Sequence, residues 1–399
     1  MVGAGIFSLP QNIAKVAGSL AIIIGWSITS IGILFLTTSL VLLSRIKPDL
    51  DGGIYTYAKE GFGELIGFCS AWGYWLSAVI ANASYLVIIF AAISFFSDNS
   101  DNIIFGDGNT WQSLISESIL LWIIHCLVLK GTKTAIGINK LATLAKLIPI
   151  SLFIILAIFS FRIDIFQFDF MGIETGMPIL EQVKNTMLIT LWVFIGIEGA
   201  IIVSSRAQRR KDVGLSTLLA VILALSIYIF ITVLSFGIVH RAELAKMRNP
   251  SMASLMINMI GDYGEIIIAA SLILSVCSAY LSWTIIATEI AYLSSLYNSF
   301  SKIFKYQNKN NLPYLSLWLT NGAIQISLIL IWLSRSNYNI LLIIASEMIL
   351  VPYFLVGLFL TKISFEVNSK KIFIVSIITN LYCLWLLYAS GTINLLLSI

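Results

Sequence analysis

The sequence is poor in charged residues. Only 11% of its 399 residues are charged, whereas an ordinary soluble domain carries about 25%. Hydrophobic residues make up 58% of the chain, which is more than a soluble protein could bury. The composition therefore excludes a soluble enzyme and points to a membrane protein.

Residues that build reactive centres are also scarce. The chain has two histidines and four cysteines, and the cysteines all lie within apolar runs (Cys69, Cys126, Cys277 and Cys383). Their placement predicts small apolar packing residues and no disulfide framework. No group of Cys, His and acidic residues has metal-ligand spacing, and no glycine-rich phosphate loop precedes a Lys-Ser or Lys-Thr pair. We therefore expect no metal, no other cofactor, no nucleic-acid partner and no ATP-driven pump.

Long apolar runs are abundant. Each is long enough to cross a hydrocarbon core of about 30 Å as a helix. The predicted spans are 1–16, 19–43, 65–96, 113–129, 141–161, 186–205, 215–239, 265–296, 314–333, 340–360 and 372–388, with a stub at 392–399. The start MVGAGIFSLP has no basic region and does not resemble a cleavable signal peptide. The sequence therefore predicts an all-α polytopic membrane protein with about 11–12 transmembrane helices.

The basic residues are unevenly divided between the loops. Alternate loops carry sixteen of them: Arg45, Lys47, Lys59, Lys130, Lys133, Lys140, Arg206, Arg209, Arg210, Lys211, Lys302, Lys305, Lys309, Lys362, Lys370 and Lys371. The opposite loops carry six: Arg162, Lys184, Arg241, Lys246, Arg248 and Arg335. Because Lys and Arg accumulate on the cytoplasmic side, we expect the first set and the N-terminus to be cytoplasmic.

Glycines interrupt two spans at corresponding places. Gly3 and Gly5 flank Ala4 in the first span, and Gly196 and Gly199 lie within the sixth. A single glycine in a membrane helix usually permits close packing, but paired breaks indicate a binding site near the membrane midplane. If helices one to five (residues 1–161) and six to ten (residues 186–360) form two inverted repeats, followed by residues 372–399 within a single membrane domain of residues 1–399, the two glycine breaks lie in corresponding helices.

Three motifs carry a resemblance to a known family. Residues 3–10 read GAGIFSLP, residues 52–63 read GGIYTYAKEGFG, and residues 194–200 read FIGIEGA, followed by SRA at 205–207 and DVG at 212–214. They resemble the amino acid-polyamine-organocation superfamily, and especially its basic amino acid/polyamine antiporter family, which includes arginine/ornithine exchangers. The resemblance implies exchange of arginine, ornithine or lysine across a bacterial inner membrane by alternating access. A homodimer is also compatible with it.

A broken helix offers backbone groups to a zwitterionic substrate. The substrate carboxylate is expected at the N–H groups of Gly3, Ala4 and Gly5, where a half-helix begins. The substrate ammonium is expected at the carbonyl groups around Trp192, Ile195 and Ile197.

The resemblance also implies a side-chain pocket. Trp192 and Trp283 align with the tryptophans that cover the aliphatic stem of the substrate and occlude it. The pocket wall in the third span corresponds to Tyr74, Ser77, Ala78, Asn82 and Tyr85. Tyr and Asn on one helix face could equally join neighbouring helices.

Charged residues inside the spans indicate proton coupling or gating, because such groups are costly in lipid. Glu198 matches the proton-sensitive gate of the family, and Tyr353 is placed with it. Lys146 matches a lysine that replaces a bound cation in sodium-independent relatives, although it could also snorkel to the headgroups. Glu347 departs from the family, where Ser or Thr is usual. Glu289 lies toward the cytoplasmic half of its span and could equally be a snorkelling or loop-facing acid. His125 is expected to be a packed or hydrogen-bonded core residue.

Two alternatives remain open. One is a proton-coupled permease for neutral amino acids or polyamines. The other is a transport-inactive sensor or remnant, because the inner half of the first helix and most of the twelfth are absent from the sequence, so that both ends look truncated.

Overall fold

The computed structural model describes residues 3–50, 52–99, 102–130, 132–199, 210–296 and 300–391, without the side chains of 132–145 and 210–212. The predicted stub at 392–399 and the SRA motif at 205–207 lie outside these residues. The helices are α1 (Gly5–Ala14), α2 (Ser19–Ile46), α3 (Ile54–Phe62), α4 (Glu64–Ser97), α5 (Trp111–Leu129), α6 (Thr132–Ser160), α7 (Ile163–Phe168), α8 (Ile179–Trp192), α9 (Arg210–Ser235), α10 (Arg241–Lys246), α11 (Ser251–Ile260), α12 (Asp262–Leu296), α13 (Tyr314–Ser334), α14 (Tyr338–Met348), α15 (Leu350–Glu366) and α16 (Lys370–Ser390).

The predicted all-α polytopic fold is confirmed. Among the described residues, eight helical segments are long and apolar enough to cross a membrane, and α14 and α15 together form one of them. The central helix α4 packs against α12 and α14, and α12 also contacts α6. Of the four cysteines, Cys69 and Cys126 are exposed on the bundle surface, so the prediction that all four are packing residues is wrong for these two.

Two of the predicted spans contain short helices. Helix α1 has 10 residues and α8 has 14, so they extend about 15 Å and 21 Å, less than the hydrocarbon thickness. Regular helix ends at Trp192, and residues 193–198 form consecutive turns. The predicted interruption of the sixth span is therefore present, next to Gly196.

The predicted tenth span is divided at Ile349, between α14 and α15. Pro352 has no N–H, so the carbonyl group of Met348 lacks its usual helical donor. That carbonyl oxygen lies close to Gly73 of α4, where an added Cβ would approach it to 2.9 Å. One turn away, the Ser77 hydroxyl donates to the carbonyl oxygen of Ala345 at 2.7 Å. The broken helix is thus held directly against α4.

The loops of the bundle contact one another in two groups. At one end, Lys47 pairs with Glu366 at 3.5 Å, and the Lys362 ammonium donates to the carbonyl oxygen of Gly61 at 3.4 Å. At the other, the Asn109 amide donates to the carbonyl oxygen of Arg335 at 3.2 Å. Each contact joins loops of the same set, as is expected if the two sets distinguished by their basic residues lie at opposite ends.

Candidate functional site

The start of α1 and the break after α8 enclose a very small cavity. Its volume is about 10 Å³, and it is lined by Gly3, Ala4, Gly5, Ile6, Tyr85, Trp192, Val193, Ile195 and Tyr228. That is room for about one water molecule. Six of the predicted substrate-site residues therefore meet around one cavity: Gly3, Ala4, Gly5, Tyr85, Trp192 and Ile195. The described conformation is closed, and an amino acid could enter only after these elements separate.

Gly5 explains why the two glycine motifs belong together. A Cβ added at Gly5 would lie 2.6 Å from Cγ1 of Val193 and 2.9 Å from Cδ1 of Trp192. Such distances are far below a van der Waals contact, so only glycine allows α1 to pack against the break at this point. The first and sixth predicted spans therefore touch where each is irregular.

The break itself depends on Gly196. Its φ angle is +108°, and a Cβ there would also lie 2.9 Å from the Trp283 ring. A side chain is thus excluded both by the backbone conformation and by the tryptophan. The N–H of Ile195 bonds the carbonyl oxygen of Trp192 at 3.2 Å, and that of Gly199 bonds the carbonyl oxygen of Gly196 at 3.1 Å. These three-residue turns replace the α-helical hydrogen bonds.

Glu198 closes one side of the break. Both carboxylate oxygens accept from the N–H of Gly196 at 3.1 Å, and Oε2 accepts from the Tyr353 hydroxyl at 2.6 Å. Tyr74 interacts electrostatically with Glu198, although within the described part of the chain its hydroxyl makes no hydrogen bond of ordinary distance and angle. Glu198 is 1% exposed. One carboxylate therefore joins the break to α15 and faces α4.

Trp192 closes the other side. Its indole N–H donates to the Tyr338 hydroxyl at 2.9 Å, and its ring lies 6.2 Å from that of Tyr85. The Tyr228 hydroxyl donates to the carbonyl oxygen of Val193 at 3.1 Å, which satisfies a carbonyl freed by the end of α8. Trp192 is therefore fixed by groups from α4 and α14, and the turn that follows it by α9.

The predicted residues of α4 separate into different environments. Tyr85 lines the cavity and Tyr74 faces Glu198. The hydroxyl of Ser77, by contrast, already donates a hydrogen bond to the carbonyl oxygen of Ala345. Ala78 and Asn82 are completely buried, and neither polar atom of the Asn82 amide has a hydrogen-bond partner among the residues that the structure describes. Buried amides are normally paired, so Asn82 keeps its hydrogen-bonding capacity while Ser77 joins two helices.

Other predicted residues are buried near the core. Ile197 is fully buried, and Lys146 and Glu347 are 7% and 6% exposed. None of the three lines the small cavity.

His125 is confirmed as a hydrogen-bonded core residue, because its Nδ1 lies 2.8 Å from the amide nitrogen of Asn321. Glu289 is also buried, at 8% exposure.

Sequence reasoning missed three buried residues. Glu117 lies inside the predicted fourth span and is 2% exposed, and its position in an apolar run was a sufficient signal. Tyr228 and Tyr338 hold Val193 and Trp192, but they lie 35 and 146 residues away from those partners in sequence. No local pattern marks such long-range pairs.

The chain is similar to transport proteins over its whole length. The family model described as amino acid permease matches residues 1–396. A putative arginine/ornithine antiporter of Escherichia coli (strain K12) is 60% identical over 399 residues, covering 100% of this chain and 86% of the relative. The arginine/ornithine antiporter of Pseudomonas aeruginosa is 41% identical over 414 residues, covering 100% and 85%. The arginine/agmatine antiporter of Chlamydia abortus is 39% identical over 415 residues, covering 100% and 84%. On this evidence the chain belongs to the amino acid permease family and is a membrane transporter, not an enzyme.

Proposed function

We propose that this protein exchanges cationic amino acids, arginine for ornithine or lysine, across the bacterial inner membrane by alternating access. The observation that carries the proposal is full-length similarity, at 60% and 41% identity, to proteins named as arginine/ornithine antiporters. The closed cavity between α1 and the break after α8 supports it, because irregular backbone within a membrane is tolerable where it lines a cavity.

The two ends of the substrate backbone have different partners. The carboxylate binds the N–H groups of Gly3, Ala4 and Gly5. These residues precede or begin α1, so their N–H groups have no carbonyl acceptor within the helix. The ammonium binds carbonyl oxygens around Trp192, Ile195 and Ile197. This arrangement requires no charged side chain at either end of the zwitterion.

Aromatic and amide groups receive the side chain of the substrate. Trp192 lines the cavity, and Trp283 packs against Gly196 at the break, so the two rings cover the aliphatic stem. A cation against an aromatic face gains about 0.5–2 kcal/mol. Ala78 leaves space along α4, and the unpartnered amide of Asn82 accepts from the guanidinium or ammonium.

Charged groups couple the site to the transport cycle. Glu198 is the proton-sensitive gate, because its hydrogen bonds to Gly196 and Tyr353 must change when the break moves. Lys146 is a fixed cation that takes the place of a bound sodium ion and braces α1. Glu347 is a second acidic group whose protonation adjusts the pH response.

The larger arrangement is also part of the proposal. Residues 1–161 and 186–360 form inverted repeats, the N-terminus is cytoplasmic, and the transporter assembles as a homodimer. The short helices α1 and α8 support the repeat, since each leads to a glycine-rich irregularity and these irregularities touch.

Exchange is measured in proteoliposomes that contain the purified protein. Vesicles loaded with ornithine are expected to take up labelled arginine faster than empty vesicles, because an antiporter returns only when it is loaded. Trp283→Ala is expected to weaken arginine binding, while Trp111→Ala, on the exposed surface, serves as the matched control.

The rates identify the alternatives. Equal uptake by loaded and empty vesicles contradicts exchange and indicates a uniporter. Uptake that follows an imposed proton gradient and is inhibited by alanine or putrescine indicates the proton-coupled permease. Agmatine that replaces ornithine inside the vesicles indicates the exchange named for the relative from Chlamydia abortus.

A further inference from the structure

A larger polar cavity lies at the end of the bundle that contains Arg248. It has a volume of about 270 Å³, and its walls include Gln11, Lys15, Asp107, Lys246, Asn249 and Tyr338. This space, named here the outer cavity, is far larger than the cavity of about 10 Å³ at the break. It therefore accommodates an amino acid of the size of arginine, which the 10 Å³ cavity below it does not.

Two buried acceptors in the wall of the outer cavity have no donor. Oε1 of Gln11 and Oδ1 of Asn249 are buried and make no hydrogen bond within the described residues, and Gln11 is only 1% exposed. The amide nitrogen of Asn249 is already used, because it donates to Oδ1 of Asn339 at 3.1 Å. An unpaired buried acceptor is costly, so this wall favours a ligand that donates several hydrogen bonds.

The rim of the outer cavity carries two available cations. Lys15 and Lys246 are exposed and form no ion pair with a described residue. Arg248 is different, because it pairs with Asp98 and Asp107 at 4.0 and 3.6 Å. The two lysines are therefore positioned to receive an anionic group.

Asp98 remains ionised beside Arg248. Partial burial acts to raise the pKa of Asp98, but hydrogen bonds from the N–H groups of Gly106, Phe105 and Ile104 and from Ser97 outweigh it and lower the pKa below its usual value. Arg248 is thus neutralised, and it does not repel a cationic ligand from the deeper wall.

One hydrogen bond joins a residue that lines the outer cavity to a residue that lines the small cavity. Tyr338 lines the outer cavity, and its hydroxyl accepts from the indole N–H of Trp192, which lines the smaller cavity. This hydrogen-bonded pair therefore links the linings of the two cavities.

We propose that the outer cavity is an entry site that binds a cationic α-amino acid before it reaches the central site. The carboxylate of this ligand faces Lys15 and Lys246, and its guanidinium or ammonium donates to Gln11 Oε1 and Asn249 Oδ1. The proposal rests on the proposed exchange function, and it adds a second binding position on the route of the same substrate.

The test compares the KM for arginine at each membrane face, in right-side-out and inside-out vesicles. Gln11→Met removes the acceptor with little change in shape, and is expected to raise KM about tenfold only at the face that carries Lys246. Gln11→Glu keeps an acceptor and adds a charge, so it is expected to lower the same KM.

Lys246→Ala tests the carboxylate contact at an exposed position where folding is not at risk. It is expected to raise KM for arginine at that face and to leave KM for agmatine unchanged, because agmatine has no carboxylate. Lys184→Ala, which removes a lysine outside the cavity lining, is the matched control.

The failures are distinguishable. A parent protein that does not exchange arginine contradicts the proposed function. Exchange with unchanged KM in both Gln11→Met and Lys246→Ala overturns the entry site alone. An equal change at both membrane faces also overturns it, because that result assigns Gln11 a structural role in α1.

Discussion

Glu198 is the residue on which the closed conformation depends most directly. It accepts from the backbone on its own segment and from Tyr353 on α15, so a single carboxylate links two elements of the closed conformation. A hydrogen bond of 2.6 Å between a hydroxyl and a carboxyl group is at the short end of the usual range. We therefore expect the loss of this hydrogen bond to change the equilibrium between conformations more than it changes side-chain packing.

Removing either partner of this hydrogen bond is expected to impair exchange. Tyr353→Phe removes the hydroxyl but retains the ring, and a lost hydrogen bond to a charged group costs about 1.5–3 kcal/mol. We expect exchange about tenfold slower or more, with arginine binding retained. Glu198→Gln is expected to flatten the dependence of exchange on pH. The exchange rate of each variant is measured in proteoliposomes between about pH 5 and 8, which is roughly the range in which proteins are most stable.

Tyr382→Phe is the control for this substitution. Tyr382 is 5% exposed and lies on α16, and its hydroxyl makes no hydrogen bond of ordinary geometry to any described residue. Its replacement is expected to leave the rate unchanged. A Glu198→Gln protein with the full pH profile of the parent would place the proton-sensitive group elsewhere, and Glu347 is then the next residue to replace.

The residues that the sequence revealed are those with an unusual local context. Glu198 was found because an acid stands out in an apolar run, and Gly196 because it interrupts one. Glu117 also lies in an apolar run, so the same local signal marks it. Tyr338 has no such signal, because its importance comes from a contact with Trp192 across the fold.

At the scale of elements, Arg241 ties the end of α1 to a distant loop. It donates to the carbonyl oxygen of Ala14 at 3.1 Å and pairs with Asp169 and, at 3.1 Å, with Glu174. The side chains of Arg241 and Asp169 are 9% and 8% exposed. Because Ala14 is the last residue of α1, the ion pair restrains the helix whose other end lines the small cavity.

Arg241→Gln is expected to destabilise the protein by about 3 kcal/mol, because it leaves Asp169 buried without its partner. Asp169→Asn in the same chain is expected to recover part of that loss, since the unpaired charge is gone. Thermal unfolding of the purified single and double variants measures the coupling. Arg335→Gln, at an exposed loop position, is the control, and strictly additive effects of the two changes would contradict a coupled pair.

The boundaries of the long helices are largely predictable from the sequence, and the breaks within helices are predictable in part. Apolar runs predict α2, α4, α9, α12 and α13 to within a few residues. The division at Ile349 follows from Pro352, which was visible in the sequence. The inverted repeat stays a prediction, because periodicity and glycine positions do not specify how helices are oriented around one another.

At the scale of the whole molecule, the distribution of basic residues and the contacts between loops divide the loops into the same two groups. Loops with many basic residues contact one another through Lys47 and Lys362, and loops with few contact one another through Asn109. The contacts do not distinguish inside from outside. The charge difference predicts that the loops rich in Lys and Arg are cytoplasmic, since such loops are retained on that side of the membrane.

The orientation of the transporter is therefore testable with two single cysteines in a chain whose four native cysteines are replaced by alanine. Ala242→Cys on α10 and Lys309→Cys in the loop before α13 are both exposed, and they belong to the loop sets with few and with many basic residues. A membrane-impermeant thiol reagent is expected to label Ala242→Cys in intact cells, because its end has few basic residues. Labelling of Lys309→Cys is expected only after the cells are permeabilised, and the reverse result would place the N-terminus outside.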